Sequence, residues 1–118
     1  MSIERIQIGP RMSQAVVHNK TVYLSGQVAE GARGLSVTLQ TQKILASIDR
    51  LLALAKTDKT QLLAATIWLT DMGSFSEMNK VWESWVVPGA TPARATVLSP
   101  QLAAAEFKIE IAIVAAQP

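Results

Sequence analysis

The chain has 118 residues, of which 49% are hydrophobic and 17% charged, with a formal net charge of +2. This composition suits one folded domain over residues 1–118. Without cysteine and with His18 as its one histidine, the sequence excludes disulfides and a cysteine nucleophile and argues against a metal site. Scattered basic residues and short apolar runs argue against nucleic-acid and membrane binding, so we expect a cytoplasmic protein.

The first third of the chain is typical of β-structure. Residues 3–8 alternate weakly between polar and apolar, and this pattern stops at Gly9-Pro10. Two β-branched runs, 15–18 and 21–26, are joined by Asn19-Lys20. They predict a hairpin with a tight turn, because Asn tolerates a positive φ.

Two helices are predicted, on either side of an apolar strand at residues 62–70. The first begins after Ser36, a suitable N-cap, and has an apolar stripe at helical spacing: Ile44, Ile48, Leu51, Leu52 and Ala55. The second opens on Ser74-Phe75-Ser76-Glu77, a capping-box pattern, and stops at Pro88-Gly89. Its stripe is Met78, Val81, Trp82 and Trp85.

Two further strands, 94–98 and 107–115, complete the order β-β-β-α-β-α-β-β. This order predicts an α+β fold, with one sheet and both helices on a single face. In the last strand one face is uniformly apolar, and the opposite face begins with Lys108 and Glu110 but ends in Ala112 and Val114. An apolar second face exposed to water is unfavourable, so we expect another subunit to cover it.

Arg94 and Glu110 are the charged residues that point to chemistry. Arg94 directly follows the rigid turn Thr91-Pro92-Ala93, and its fork can bind a carboxylate through two hydrogen bonds. Glu110 lies mid-strand, where partial desolvation would let it hold and activate water. We expect both on the face that a partner covers. Their spacing alone favours the alternative, a structural ion pair between them.

Other polar positions each have two interpretations. Gly26, within Ser25-Gly26-Gln27, either allows a ligand to approach the backbone or marks a bulge. Tyr23 either lines a pocket or packs against neighbouring side chains. Asn79 in the second helix either faces solvent or bonds a neighbouring loop, and Arg11 is either an exposed loop cation or a second contact for an anion.

Five segments, in this order along the whole chain, resemble the RidA/YjgF family: 22–27, 65–72, 75–79, 92–94 and 108–111. The resemblance implies a chorismate-mutase-like fold with a mixed sheet, and a homotrimer whose sheets form a central barrel with sites between subunits. It also implies a hydrolase that converts reactive 2-imino acids and their enamine tautomers, released by pyridoxal-phosphate enzymes, to 2-keto acids and ammonia. No metal or organic cofactor is implied.

The resemblance gives roles to individual residues. Arg94 matches the arginine that grips the substrate carboxylate, and Glu110 matches the glutamate that holds the attacking water. Ser25 and Gly26 match the strand end that lines the pocket, and Asn79 matches a polar residue near it. Tyr23 and Arg11 are the remaining candidate substrate contacts.

The chain departs from the family pattern at three points, one of which is the altered loop Pro100 to Glu106. Arg11-Met12 follows Gly9-Pro10 where many members have a tyrosine, and Ala112 stands where a second acidic residue is common. This pattern indicates a divergent branch. Arg11 in place of the tyrosine motivates an alternative function, a protein that binds 2-keto acids without turnover. RNA cleavage, attributed to some members, is disfavoured by the lack of a basic stripe and of an aromatic stacking platform.

Overall fold

The computed structural model describes residues 2–118 and has the element order that the sequence predicts. Its strands and helices are β1 (Glu4–Ile8), β2 (Ser13–His18), β3 (Thr21–Leu24), α1 (Val37–Leu54), β4 (Leu62–Leu69), α2 (Phe75–Trp85), β5 (Ala93–Leu98) and β6 (Ile109–Ala116).

All six strands form one mixed sheet in the order β1-β2-β3-β6-β4-β5. Neighbouring strands are antiparallel except β4 and β5, which are parallel. The two outer strands, β1 and β5, are therefore the edges of the sheet, and β6 lies near its centre. The predicted α+β fold with one mixed sheet is confirmed.

The core lies between the helices and one face of the sheet, called here the helix face. On this face β4 and β6 place Ala65 opposite Ile113, Ile67 opposite Ile111 and Leu69 opposite Ile109, all buried. The apolar stripe of α1 is buried against them. Burying one such side chain contributes about 1.5–3 kcal/mol, which explains why the helical and strand periods predict the fold.

The opposite face of the sheet, called here the open face, carries no helix within residues 2–118. Successive side chains in a strand alternate between faces. The open face therefore carries Tyr23, which is 48% exposed, and half-buried Trp68, Ala112 and Val114. The predicted apolar character of this second face is confirmed.

The predicted capping box of α2 is wrong. Ser74 accepts no capping hydrogen bond; instead the Glu77 carboxylate accepts hydrogen bonds from the backbone N (2.8 Å) and the hydroxyl (2.7 Å) of Thr38 in α1. The first turn of α1 offers unpaired N–H groups and a positive dipole end, and Glu77 lies close enough to satisfy them. The hydroxyl bond and then the backbone bond lower the pKa of Glu77. The predicted Ser36 cap is confirmed, since its hydroxyl accepts from Leu39 N.

A buried glutamine determines where β6 begins. The Gln40 side chain is fully buried; its Nε2 donates to the Glu106 carbonyl (2.9 Å) and its Oε1 accepts from Lys108 N (2.9 Å). Because Lys108 N bonds this side chain and not a neighbouring strand, β6 starts at Ile109 and not at the predicted residue 107. The same two bonds hold the backbone at Glu106 and Lys108, just before the strand that carries Glu110.

Candidate functional site

Glu110 lies on the open face, opposite Trp68 of β4. The residues on either side of it along β6 face the helices and are buried. Glu110 itself is half-buried, and this desolvation raises the pKa of its carboxyl. Within residues 2–118 it forms no ion pair and accepts no hydrogen bond, so nothing in the chain offsets the cost of partly burying its charge.

The Glu110 carboxylate rests against the backbone of Gly26. Between the pairs Tyr23–Val114 and Gln27–Ile111, three residues of one strand segment face two of the other, which is a β-bulge. A Cβ added to Gly26 would lie only 1.9 Å from Glu110 Oε2. The predicted bulge at Gly26 is therefore confirmed. The Gly26 backbone is also closely approached, and the group that approaches it is the Glu110 carboxylate of the same chain.

Two glutamines hold this bulge in place. Gln14 Oε1 accepts from the Ser25 hydroxyl (3.0 Å) and from Gln27 Nε2 (3.0 Å), and Ser25 N donates to the Gln14 carbonyl (3.0 Å). Gln27 also exchanges two backbone hydrogen bonds with Ile111 of β6. Gln14, Ser25, Gly26 and Glu110 are called here the open-face cluster. Gln27, directly opposite Ile111 of the helix face, supports this cluster through its bond to Gln14.

Arg94 lies on the helix face, at the start of the edge strand β5, in register with Ala65. Its guanidinium carbon lies 5.8 Å from the Phe75 ring centre and 5.5 Å from that of Trp82. No ion pair or hydrogen bond joins it to another residue of the 2–118 segment. Desolvation lowers the pKa of Arg94 and the charge of Glu83 opposes this, but an arginine stays charged. Its fork is thus available to an anion.

The alternative of an ion pair between Arg94 and Glu110 in one chain is wrong, and so is their expected placement on one face. Arg94 is in register with Ala65 of β4, whereas Glu110 is in register with Trp68. Because side chains alternate along β4, positions 65 and 68 face opposite sides of the sheet. The two charged groups are separated by the sheet itself.

The remaining candidates divide between these two regions. Asn79 is half-buried on α2, one helical turn from both Phe75 and Trp82, so it lies on the side of the helix that holds Arg94. Arg94, Phe75, Asn79 and Trp82 are called here the helix-side cluster. Tyr23 is on the open face.

Arg11 lies apart from both clusters, in the turn between β1 and β2. It is exposed and lines a cleft of about 420 Å³ together with Gln7 and Gln14. Through Gln14 this cleft adjoins the open-face cluster.

Sequence reasoning missed the structural roles of several residues. Gln14 and Gln27 were detectable as polar residues directly beside the predicted strand segments 15–18 and 21–26, and Gln27 is only 9% exposed. The contact of Trp82 and Phe75 with Arg94 carried no sequence signal, because both residues fit the apolar side of a helix. Among residues 2–118 no group of three or more potential metal ligands occurs. In the same segment neither helix combines the length and apolarity that crossing a membrane demands.

Comparison with known proteins gives consistent matches. The model of the family described as Endoribonuclease L-PSP matches residues 3–117. The RutC family protein YoaB of Escherichia coli is 42% identical over 116 residues, covering 98% of this chain and 99% of that protein. A crystal structure of a YjgF family member from Neisseria meningitidis is 44% identical, with a TM-score of 0.95 over 100% of this chain and 97% of that one. A 2-iminobutanoate/2-iminopropanoate deaminase from Capra hircus is 36% identical over 93 residues, covering 75% of this chain and 66% of that protein.

Proposed function

The chain belongs to the YjgF/RidA family, and we propose that it is a deaminase that hydrolyses 2-imino acids to 2-keto acids and ammonia. The observation that carries the proposal is the presence of an arginine fork and a partly buried carboxylate, neither of which has an ion-pair partner among residues 2–118. The deaminase from Capra hircus, which shares 36% of the aligned residues, supports this activity.

In the proposed reaction Arg94 binds the substrate carboxylate through two charge-assisted hydrogen bonds. A water molecule held by Glu110 attacks the imine carbon: one of its protons passes to Glu110, its oxygen forms the new C–O bond, and the C=N π electrons move to the nitrogen. The nitrogen takes that proton from Glu110, which gives the neutral carbinolamine. Glu110 then accepts the hydroxyl proton of the carbinolamine and passes it to the nitrogen, so the C–N bond breaks and ammonia leaves as the carbonyl forms. The raised pKa of Glu110 makes its carboxylate a better proton acceptor than that of an ordinary glutamate, which suits it to this proton relay.

The proposed site lies between copies of the chain. The open face is apolar and carries Glu110, whereas Arg94 projects from an edge strand on the other face. A contact that places the β5 edge of one copy against the open face of the next brings both groups together. We propose a homotrimer in which each of three sites uses Arg94 of one copy and Glu110 of its neighbour. Ser25, Gly26, Tyr23 and Asn79 would line these sites, with Arg11 at their rim.

Complementation between inactive variants tests this arrangement. Arg94→Ala and Glu110→Gln should each abolish 2-iminopropanoate hydrolysis. When the two are co-expressed in equal amounts, random mixing in a closed ring gives about one quarter of sites with both residues intact, and activity should return to that fraction. The matched control combines Arg94→Ala with the doubly substituted chain, in which no site is intact.

Two outcomes would contradict the proposal. Mixed assemblies, verified by mass spectrometry, that stay inactive would exclude a site shared in this way. A wild-type chain that binds pyruvate through Arg94 but does not accelerate imine loss in a coupled dehydratase assay would be the 2-keto-acid-binding protein of the alternative interpretation.

A further inference from the structure

The guanidinium of Arg94 is held by aromatic rings and not by a carboxylate. Trp82 is 5% exposed, and its ring centre lies 5.5 Å from the Arg94 guanidinium carbon. The Phe75 ring centre lies 5.8 Å from the same guanidinium carbon, and Phe75 is 38% exposed. The side of the guanidinium next to Phe75 is therefore more open than the side next to Trp82. A ring face attracts a cation without using its N–H groups, so the donors at the guanidinium edge stay available.

The Trp82 ring has its own support, which reaches back to α1. Its centre lies 5.5 Å from that of Trp85, with 49° between the ring planes. The Trp85 indole Nε1 donates to both carboxylate oxygens of Asp49, at 3.1 and 3.0 Å. Lys59 Nζ lies 5.4 Å from the Trp85 ring centre. A side chain fixed by packing and by a hydrogen bond holds its neighbour in a narrow range of orientations.

We infer, on the basis of the proposed function, that Trp82 is a positioning residue for Arg94. Trp82 sets the plane of the guanidinium, and the Trp85–Asp49 bond keeps the Trp82 ring in place. An arginine already oriented loses less conformational entropy when it binds a carboxylate. The contribution of Trp82 is therefore to substrate affinity and not to the chemical step.

The test measures pyruvate binding by calorimetry and 2-iminopropanoate kinetics on the full-length protein. Trp82→Leu should weaken the pyruvate Kd and raise KM by about threefold to thirtyfold, with kcat changed by less than about threefold. Trp82→Phe keeps a ring face and should restore both constants to within about threefold of wild type. Trp85→Phe removes the donor to Asp49 and should weaken binding by about twofold to fivefold.

Phe107→Leu is the matched control, because Phe107 makes the same kind of contact with a different arginine. Its ring centre lies 4.7 Å from the guanidinium carbon of Arg33, away from Arg94. It should lower the unfolding midpoint but leave the pyruvate Kd unchanged. An unchanged Kd in Trp82→Leu overturns the inference, and so does equal weakening in Phe107→Leu. If Trp82→Leu does not fold, Trp85→Phe decides the matter, and an unchanged Kd there overturns the inference.

Arg94→Ala separates this inference from the proposed function. If Arg94→Ala binds pyruvate as well as wild type, the carboxylate does not bind Arg94 and both proposals fail. If Arg94→Ala loses binding while Trp82→Leu retains it, the assignment of Trp82 alone fails.

Discussion

Replacing Gly26 by alanine should lower kcat by about 100-fold or more while leaving the protein folded. The new Cβ would lie 1.9 Å from Glu110 Oε2 and 2.8 Å from Glu110 Cδ. The carboxylate must therefore retreat by about 1.5 Å to reach ordinary contact. Since a misplacement of about 1 Å in a reacting group can cost about 100-fold in rate, we expect kcat to fall by at least about that factor.

The effect of the same substitution on stability should be small. Gly26 does not have a positive φ, so its backbone conformation suits alanine. Turning the Glu110 side chain away costs about 0.5–1.5 kcal/mol, and alanine restores about 0.4–1 kcal/mol by restricting the unfolded chain. The free energy of unfolding should stay within about 1 kcal/mol of wild type, a value that urea titration followed by circular dichroism can measure.

Two comparisons make this prediction decisive. Gly31→Ala is the matched control, because its Cβ would meet the flexible end of Lys43 (2.9 Å to Cε), outside both clusters, and should leave activity unchanged. In a Glu110→Ala background the Gly26 substitution should no longer cost stability, because the clashing group is gone. Gly26→Ala with wild-type kcat would refute the placement of the Glu110 carboxylate against this backbone.

Two further substitutions test polar groups that lack a partner. Thr96 Oγ1 is buried and has no hydrogen-bond partner among residues 2–118. Thr96→Val should therefore raise the free energy of unfolding by about 1 kcal/mol in urea titrations, and a loss of stability would show that this hydroxyl does make a hydrogen bond. For Glu110, a raised folded pKa means that the native state binds more protons than the unfolded state, so stability is lost as pH rises through the folded pKa. Glu110→Gln should therefore be more stable than wild type at pH 7. The difference should disappear below about pH 4, the pKa of a glutamate in the unfolded chain. Urea unfolding midpoints at both pH values check this, and a less stable variant at pH 7 would contradict it.

The helices and strands were predictable because their burial follows a local period. The stripe of α1 and the alternation of β6 each identify the buried side from a few consecutive residues, and the structure buries those sides. The Ser36 cap is equally local. Such features need no knowledge of what packs against the segment.

The errors, and the features that the sequence did not indicate, depend on pairing between distant segments. The face of the sheet on which Arg94 lies is set by its register with Ala65, in the parallel pair of β4 and β5. A short edge strand carries no sequence pattern that reveals this register. Glu77 fits a capping box in its own helix, but the packing of α2 on α1 brings Thr38 within its reach. The approach of Glu110 to Gly26 likewise joins two strand segments far apart in sequence.

The positions of Arg94 and Glu110 explain why one contact could serve both assembly and catalysis in the proposed trimer. Glu110 is a stronger base when water is excluded from it, so the open face gains from being covered. Arg94, by contrast, must remain accessible and without an ion-pair partner until the substrate binds. Phe75 beside it is 38% exposed, so this side of the guanidinium is open. When the edge of one copy covers the open face of the next, the apolar area is buried and the fork arrives beside the carboxylate. Such a contact joins two different surfaces, so it can close only as a ring, which makes each complete site depend on a neighbour.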